Sequence, residues 1–315
     1  SDSKISLYDL SLLLPSIKGM DQLVGFSGHI FGSEDDLKGK NLTIKTGENT
    51  FAVVDFYANG ISDPESMYLF LDLKRSQTSF DDIAKIKMPS KNGPRYLQFP
   101  EAFYESGIIT YKGNFTGFSE DFVAFGTLTS EMGKITTDLS VVPDEKGSTL
   151  YRGEIATEDF NLGELFKVDA IGNITFDGSV DGLFNRKNHT VAGAFEGDIH
   201  RMDVNSYNYE NIRFDGILNN KMFDGLVMID DPNLEFDFLG KINFNPDVPV
   251  FDFRLDMKKA MPGKLNLTGI YPEAEIAFTM NAKFSGNKVD NLAGSIIVED
   301  GFYKNNNGDL DLKGL

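Results

Sequence analysis

Few residues of this 315-residue sequence have the types and spacing that catalysis requires. The three histidines, His29, His189 and His200, lie in unrelated contexts, and no Gly-x-Ser-x-Gly turn presents a nucleophilic serine. Residues 25–29 (GFSGH) place a serine near a histidine, but the segment alternates as a strand does. Cysteine is absent, which excludes thiol catalysis, disulfides and Cys-ligated zinc. The sequence therefore predicts that the protein is not an enzyme.

Acidic residues are abundant, but their spacing defines no metal or catalytic site. Residues 305–311 (NNNGDLD) and 34–36 (EDD) lack the spaced ligands and the distal glutamate of a calcium loop. Paired carboxylates of the kind that glycosidases use are unavoidable among 48 acidic residues. No glycine-rich phosphate loop precedes a helix. We interpret the acidic segments as solvated turns and predict neither a metal ion nor a cofactor.

The charge balance argues against a nucleic-acid partner. Thirty Lys and Arg against 48 Asp and Glu give a net charge of −18. Counterion release from a polyanion needs clustered cations, and the basic runs here do not exceed two residues. Those runs are Lys74-Arg75, Arg186-Lys187 and Lys258-Lys259. The sequence thus predicts no binding to nucleic acid, and none to an anionic membrane surface through a basic patch.

Apolar and polar residues alternate with a period of two through most of the sequence. Successive side chains of a strand point to opposite faces, so each segment has one apolar and one solvated face, as in an antiparallel sheet. The 27 phenylalanines, 11 tyrosines and 31 glycines agree with strands and turns. In each segment the apolar residues occupy every second position, and we call these positions the apolar parity. In the clearest segments they are Ile174, Phe176, Val180, Ile212, Phe214, Leu234, Phe236, Phe238, Ile242, Phe244, Phe251, Phe253, Leu255, Ile276, Phe278, Met280 and Phe284.

Glycine also falls on this apolar parity, where it would let a sheet curl toward its apolar side. The apolar face must be covered, because its exposure to water costs about 25 cal/mol per Å². A second sheet packed face to face and a single sheet curled around an apolar ligand both satisfy this need, and periodicity does not separate them. Scattered bulges of a sandwich are the alternative explanation of the glycines. The glycines concerned are Gly113, Gly126, Gly178, Gly216, Gly225 and Gly240.

The sequence predicts one continuous β-rich section over residues 1–315. Helix signals are confined to residues 79–86 (SFDDIAKI), where a serine cap precedes carboxylates and a short apolar face, and to residues 159–166. Residues 89–100, rich in Pro, Gly and Asn, are the one candidate seam, interpreted as a loop within the sheet. No stretch approaches the roughly 20 apolar residues that span a bilayer, so a soluble chain is expected. The sequence starts at Ser1 and ends in an alternating strand pattern, which we interpret as a piece of a longer protein.

Several segments resemble the AsmA-like superfamily, and specifically the TamB (translocation and assembly module) proteins of diderm bacteria. Each segment is strand alternation with a glycine, and their order and the Asp-Asp-Pro-Asn-Leu turn make the resemblance specific. Together they span about half of the chain, roughly residues 108–267. The resembling segments are residues 111–118 (YKGNFTGF), 121–128 (DFVAFGTL), 159–163 (DFNLG), 172–182 (GNITFDGSVDG), 207–216 (YNYENIRFDG) and 223–244 (FDGLVMIDDPNLEFDFLGKINF).

The resemblance implies a periplasmic protein, anchored in the inner membrane, whose long β-groove conducts phospholipid toward the outer membrane. The implied partners are phospholipid acyl chains and an Omp85-type outer-membrane barrel, which a C-terminal region missing from this sequence would contact. The family's N-terminal anchor helix is missing as well, which fits a central piece. An older assignment for the family is assistance in outer-membrane protein assembly and autotransporter secretion.

These observations predict an all-β chain whose long, twisted, mostly antiparallel sheet curls into a U-shaped hydrophobic groove, a β-taco. The residues of the apolar parity named above are the predicted lipid-binding lining. The strongest candidates among them are Phe176, Phe214, Phe236, Phe238, Phe253 and Phe278. The alternative is a structural or secretion-assisting scaffold whose inner face is packed and dry. A carbohydrate-binding β-protein ranks last, because its aromatic platforms would favour tryptophan, which this sequence lacks.

Overall fold

The computed structural model of the chain is all-β and antiparallel, which confirms the predicted fold class. It describes residues 3–12, 19–33, 35–61, 66–88, 95–118, 120–144, 147–185, 190–306 and 308–312. The chain divides into two compact units, each described by itself below. Unit 1 comprises Ser1–Pro143, Thr157–Phe160 and Glu164–Lys167, and unit 2 comprises Asp144–Ala156, Asn161–Gly163 and Val168–Leu315.

Unit 1 contains an antiparallel ladder in which consecutive long strands pair. The order of pairing is β1-β2-β3-β4-β5-β8-β9-β10, and β6 and β7 pair separately. The strands are β1 Ser3–Ser6, β2 Leu23–Ser33, β3 Asp36–Thr46, β4 Thr50–Asn59, β5 Tyr68–Thr78, β6 Lys87–Met88, β7 Arg95–Tyr96, β8 Ile109–Gly117, β9 Phe122–Ser130 and β10 Gly133–Pro143.

Strand β11 (Ser148–Asn161) contributes residues to both units, and the ladder of unit 2 follows it. From β12 to β20 every strand pairs antiparallel with the next one in sequence. These strands are β12 Ile171–Asn185, β13 Thr190–Val204, β14 Tyr207–Asn219, β15 Met222–Asp231, β16 Leu234–Asn243, β17 Val250–Ala260, β18 Glu275–Ser285, β19 Ala293–Asn305 and β20 Gly308–Leu312.

Helices are few and short. The two predicted ones are present as α2 (Phe80–Ala84) and α4 (Leu162–Phe166), and the side chain of Ser79 caps α2 by accepting a hydrogen bond from the Asp82 N–H. Two more, α1 (Leu7–Ser11) and α3 (Glu101–Tyr104), were not predicted, since four or five residues carry too little periodicity to be recognised. Within the described part of the chain, no helix has the length and apolarity to cross a membrane.

The predicted seam at residues 89–100 lies within unit 1. Residues 89–94 fall outside the described part of the chain, and Phe99 packs edge-on against Phe80 of α2, with ring centroids 4.8 Å apart. Phe103 of α3 contacts the same ring at 4.9 Å. Phe80, Phe99 and Phe103 therefore form one small aromatic cluster that joins α2 to α3.

Candidate functional site

The strand register of unit 2 brings the predicted lining residues onto one face of the ladder. Partners in an antiparallel pair point to the same side, so residues that pair in succession form a row across the strands. One row runs through Phe176, Ile199, Ile212, Ile229, Phe236, Met257 and Phe278. The next row runs through Gly178, Gly197, Phe214, Val227, Phe238, Leu255, Met280 and Val298.

Further rows on the same face hold the other predicted residues. A third row runs through Val180, Phe195, Gly216, Gly225, Gly240, Phe253, Ala282 and Ile296. Shorter rows join Leu218, Phe223, Ile242, Phe251 and Phe284, then Leu234, Ala260 and Ile276, and finally Ile174 and Met202. We call this surface of β12–β19 the apolar face of unit 2.

Strands β13 and β15 contribute apolar residues that the sequence prediction left out. Phe195 and Ile199 of β13 and Val227 and Ile229 of β15 complete rows that the predicted residues only began. In β15 the four consecutive apolar residues 226–229 (LVMI) do not show which parity faces the apolar side, so alternation did not select Val227 and Ile229. Interruption by Gly193 and Gly197 shortened the apolar pattern of β13 and hid it.

Aromatic rings form contacts along the apolar face. The ring centroids of Phe238 and Phe253 are 5.2 Å apart, and those of Phe251 and Phe284, which stack, are 4.6 Å apart. Phe244, just after the end of β16, packs edge-on against Phe251 at 5.7 Å. These separations fall in the range in which aromatic pairs attract each other. The rings therefore form a semi-continuous apolar layer, with Phe244 at its margin.

Two glycines of the third row lie where a side chain would clash. A Cβ atom on Gly216 would lie 2.7 Å from Cε2 of Phe223, so that ring occupies the space beside Gly216. A Cβ atom on Gly240 would lie 2.5 Å from Cα of Phe253, so here the neighbouring strand itself is too close; both distances are shorter than non-bonded carbon atoms allow. Gly240 also has a φ of +145°, a conformation that side-chain-bearing residues rarely adopt. Glycine on the apolar parity thus has a packing role.

Burial shows that the apolar face is partly accessible. Of the 17 predicted lining residues, only Ile174 and Phe238 are buried; Phe244 is exposed and the other fourteen are half-buried. A second sheet packed face to face would exclude water from most of these side chains. The degree of exposure therefore favours an open apolar surface over the filled core of a sandwich.

The opposite face of the same strands is mostly polar, with exposed Ile217, Leu239 and Ile297 among its charged residues, and it carries cross-strand ion pairs. Lys241 lies 3.0 Å from Asp224, and Lys283 lies 3.0 Å from Asp252. The Lys258 ammonium lies 3.0 Å from Asp237, and this hydrogen bond raises the pKa of Lys258 above its ordinary value. Exposed pairs of this kind stabilise a protein only slightly. They do oppose a one-residue slip of register, which would exchange the two faces.

The loop after β17 and two hairpin turns meet at one end of the ladder. The Met261 N–H donates to the Asn233 carbonyl over 2.9 Å, and the Asn266 side chain donates to the Asn205 carbonyl over 3.2 Å. Leu265, between them, is only 1% exposed. The loop therefore seals this end of the strands with an apolar contact, and it contains no candidate catalytic group.

The candidate catalytic residues do not form a site. His200 hydrogen-bonds the Asp177 carboxylate on the polar face of unit 2, whereas Ser27 and His29 lie on β2 of unit 1. His189 lies outside the described residues. Among the described residues, no group of three or more His, Asp or Glu side chains could hold a metal ion.

Comparison with known proteins gave no match. Neither a protein-family model, nor a curated protein, nor a solved structure is similar to this chain at a significant level. The resemblance to TamB and AsmA-like proteins therefore stays a prediction.

Proposed function

We propose that the apolar face of unit 2 holds phospholipid acyl chains, as one section of a TamB-like or AsmA-like bridge between the inner and outer membranes. The observation that carries this proposal is the set of apolar rows that continue from β12 to β19 while most of their side chains stay half-buried. Exposure of such a surface to water is costly, and a continuous apolar patch of this kind is typical of a site that binds an apolar partner.

Acyl chains suit the dimensions and the chemistry of this surface. Eight strands at about 4.8 Å spacing extend roughly 34 Å across the ladder, about twice the ~15 Å of one leaflet of a bilayer's hydrocarbon core. Acyl chains need continuous apolar contact and no directed hydrogen bonds. The rows provide phenylalanine, isoleucine, leucine, valine and methionine without a charged residue.

The cellular setting belongs to the same proposal. A bridge of this kind would lie in the periplasm, in a parent protein anchored in the inner membrane, and would deliver lipid to an Omp85-type barrel. It would need neither a cofactor nor a catalytic residue, because moving a lipid along an apolar surface breaks no covalent bond.

Photocrosslinking tests the proposal. A photoreactive amino acid replaces Phe214 on the apolar face or, as a control, Leu239 on the polar face, which is 61% exposed. We expect crosslinks to phospholipid from position 214 and not from position 239. In the position-214 protein, Phe238→Asp with Phe278→Asp should abolish the crosslink, whereas Leu239→Asp with Asn281→Asp, on the opposite face beside Arg254, should leave it intact. Phe278→Asp alone, at a half-buried site, tests the same surface should the double variant fail to fold.

Native mass spectrometry distinguishes the scaffold alternative. Phospholipid that purifies with the wild-type chain and is lost with Phe278→Asp supports the lipid surface. Equal crosslinking from both faces, or a wild-type chain that is folded but never carries lipid, would contradict it and favour a scaffold for outer-membrane protein assembly and autotransporter secretion.

A further inference from the structure

Unit 1 contains two adjoining depressions. The larger has a volume of about 670 Å³, the smaller about 400 Å³, and Phe51 and Gln77 line both. The larger volume lies within the range of small-molecule sites. Neither depression includes a residue of the apolar face of unit 2.

Cations dominate the lining of these depressions. Lys4 and Lys45 line the larger one, and Lys74, Arg75 and Lys112 line the smaller. Among the described residues that line them, Glu48, in the larger depression, is the one carboxylate. The larger depression thus has two cations to one carboxylate and the two depressions together have five to one, whereas in the whole chain 48 acidic residues outnumber 30 basic ones. A local excess of positive charge on so acidic a protein attracts anions selectively.

The register explains how cations that are far apart in sequence come together. Lys4, Gly25, Lys45, Phe51, Gln77, Thr110 and Thr129 pair in succession from β1 to β9. Val53 pairs with both Thr43 and Arg75, which places Arg75 in the adjacent row. The expectation that no basic patch exists rested on contiguous runs of Lys and Arg. It did not consider cations contributed singly by neighbouring strands.

Several groups in the larger depression lack partners. Lys4 and Lys45 form no ion pair with another described residue, whereas Lys74 of the smaller depression is paired with Asp55 at 2.7 Å. Both polar atoms of the Gln22 carboxamide are buried, and among the described residues neither has a hydrogen-bond partner. A buried amide without partners destabilises the folded chain, and a ligand that hydrogen-bonds to it would remove that cost. Among the described residues, the larger depression thus contains two lysines without an ion-pair partner and one carboxamide without a hydrogen-bond partner.

An aromatic ring lies between the cations. The Arg75 guanidinium sits 5.1 Å from the centroid of the Phe51 ring, within cation–π distance. Leu23 and Phe26 add apolar surface to the larger depression, and Ser27 and Thr43 add hydroxyls. A ligand that fits this depression carries a compact negative charge at one end, which contacts the lysines, and a hydrocarbon part at the other, which contacts the apolar side chains.

We propose that the larger depression binds a phosphate ester. Lys4 and Lys45 hold the phosphate, because ammonium groups are compact donors without acceptor capacity and suit the anionic phosphate of either a monoester or a diester. The Gln22 amide donates to a phosphate oxygen, and the ester's carbon skeleton packs on Phe51 and Leu23. The ester is either a soluble metabolite or the headgroup of a lipid at a membrane surface. This site uses the other unit and is independent of the acyl-chain proposal.

Binding measurements on the full chain test the site and identify the source of the ester. The soluble probe is sn-glycerol 3-phosphate in calorimetry, with glycerate as its carboxylate analogue. The membrane probe is flotation with phosphatidylcholine vesicles that do or do not contain phosphatidylglycerol. The test variant is Lys4→Gln with Lys45→Gln. The control variant, Lys221→Gln with Lys304→Gln, removes the same charge from exposed sites in unit 2.

The proposal expects the test variant to weaken binding at least about tenfold and the control variant by less than about twofold, since only the test variant removes charge-assisted hydrogen bonds to the phosphate. Binding of glycerol phosphate assigns a soluble ester, and binding only of phosphatidylglycerol vesicles assigns a lipid headgroup. Absence of both, equal loss in the two variants, or equally tight binding of glycerate would overturn it. Phe278→Asp should leave this binding unchanged, which separates its outcome from that of the acyl-chain test.

Discussion

The Tyr207 hydroxyl donates a hydrogen bond to the Asp231 carboxylate and so joins two hairpin turns of unit 2. Tyr207 begins β14, after the β13–β14 turn, and Asp231 ends β15 before the next turn. Asp231 is 4% exposed and also accepts hydrogen bonds from the Glu210 N–H at 3.1 Å and the Asn233 N–H at 2.8 Å. One carboxylate thereby holds together the ends of three consecutive strands of the apolar face.

Removal of this carboxylate should destabilise unit 2. Asp231→Ala leaves three donors without their acceptor, and we expect a loss of about 2–4 kcal/mol in the free energy of unfolding, measured by urea denaturation. Asp230→Ala, at the exposed neighbouring residue, serves as the control and should change it by less than about 0.5 kcal/mol. Equal effects of the two variants would show that the network does not hold the turns.

The ionisation of Tyr207 should report the same network. Burial, together with the hydrogen bond to Asp231, raises the pKa of Tyr207 from 10.0 to about 12. The folded chain therefore retains this proton between pH 10 and 12 while the unfolded chain releases it. The contribution to stability is complete below pH 10 and is lost as the pH rises toward 12.

Tyrosinate absorbance measures this ionisation directly. The difference in absorbance between the wild-type chain and Tyr207→Phe should rise near pH 12 in the folded state and near pH 10 in urea. A difference that rises near pH 10 in both conditions would refute the burial and the hydrogen bond as causes.

Facing glycines should not tolerate a side chain. Gly225 pairs with both Gly216 and Gly240, and a Cβ atom on it would lie 2.5 Å from Cα of Gly216 and 2.3 Å from the Asp215 carbonyl oxygen. We expect Gly225→Ala to lower the free energy of unfolding by about 1–3 kcal/mol. Gly269→Ala is the control, because no atom lies within 4 Å of its added Cβ. If urea denaturation gives the two variants the same midpoint, the close approach is not present in solution.

Adjacent residues on opposite faces of β16 should differ sharply in their contribution to stability. Phe238 is 9% exposed and contacts Phe223 and Phe253, whereas Leu239 is 61% exposed. Phe238→Ala should cost about 3–5 kcal/mol, and Leu239→Ala less than about 0.5 kcal/mol, measured by urea denaturation. The reverse order would mean that the register of β16 is shifted by one residue.

Local signals in the sequence predicted the features that depend on near neighbours along the chain. Alternation over residues 234–244 identified β16 and its apolar parity, because strand geometry sends alternate side chains to opposite faces. Ser79 and the carboxylates after it identified α2. The short helix α3 escaped prediction, since its four residues make barely one turn.

Contacts between segments that are far apart in the sequence could not be predicted from local patterns. Asp82 was recognised only as a first-turn carboxylate, yet it also accepts hydrogen bonds from the Asn49 N–H at 2.7 Å and the Thr50 hydroxyl at 2.9 Å. Burial alone would raise the pKa of Asp82, but these donors hold it below its ordinary value. Bonds across more than thirty residues depend on how the strands are arranged, which alternation does not encode.

The sequence by itself determined that each strand of this protein has an apolar and a polar face, because a period of two is a property of the extended backbone. The tertiary structure alone decided which residues became neighbours. Register aligned Phe176 with Phe236 and Phe278 in one row of unit 2, and it placed Lys4 and Lys45 on either side of Gly25 in unit 1. Pairing joins residues that are tens of positions apart, so only the folded chain shows what each face can bind.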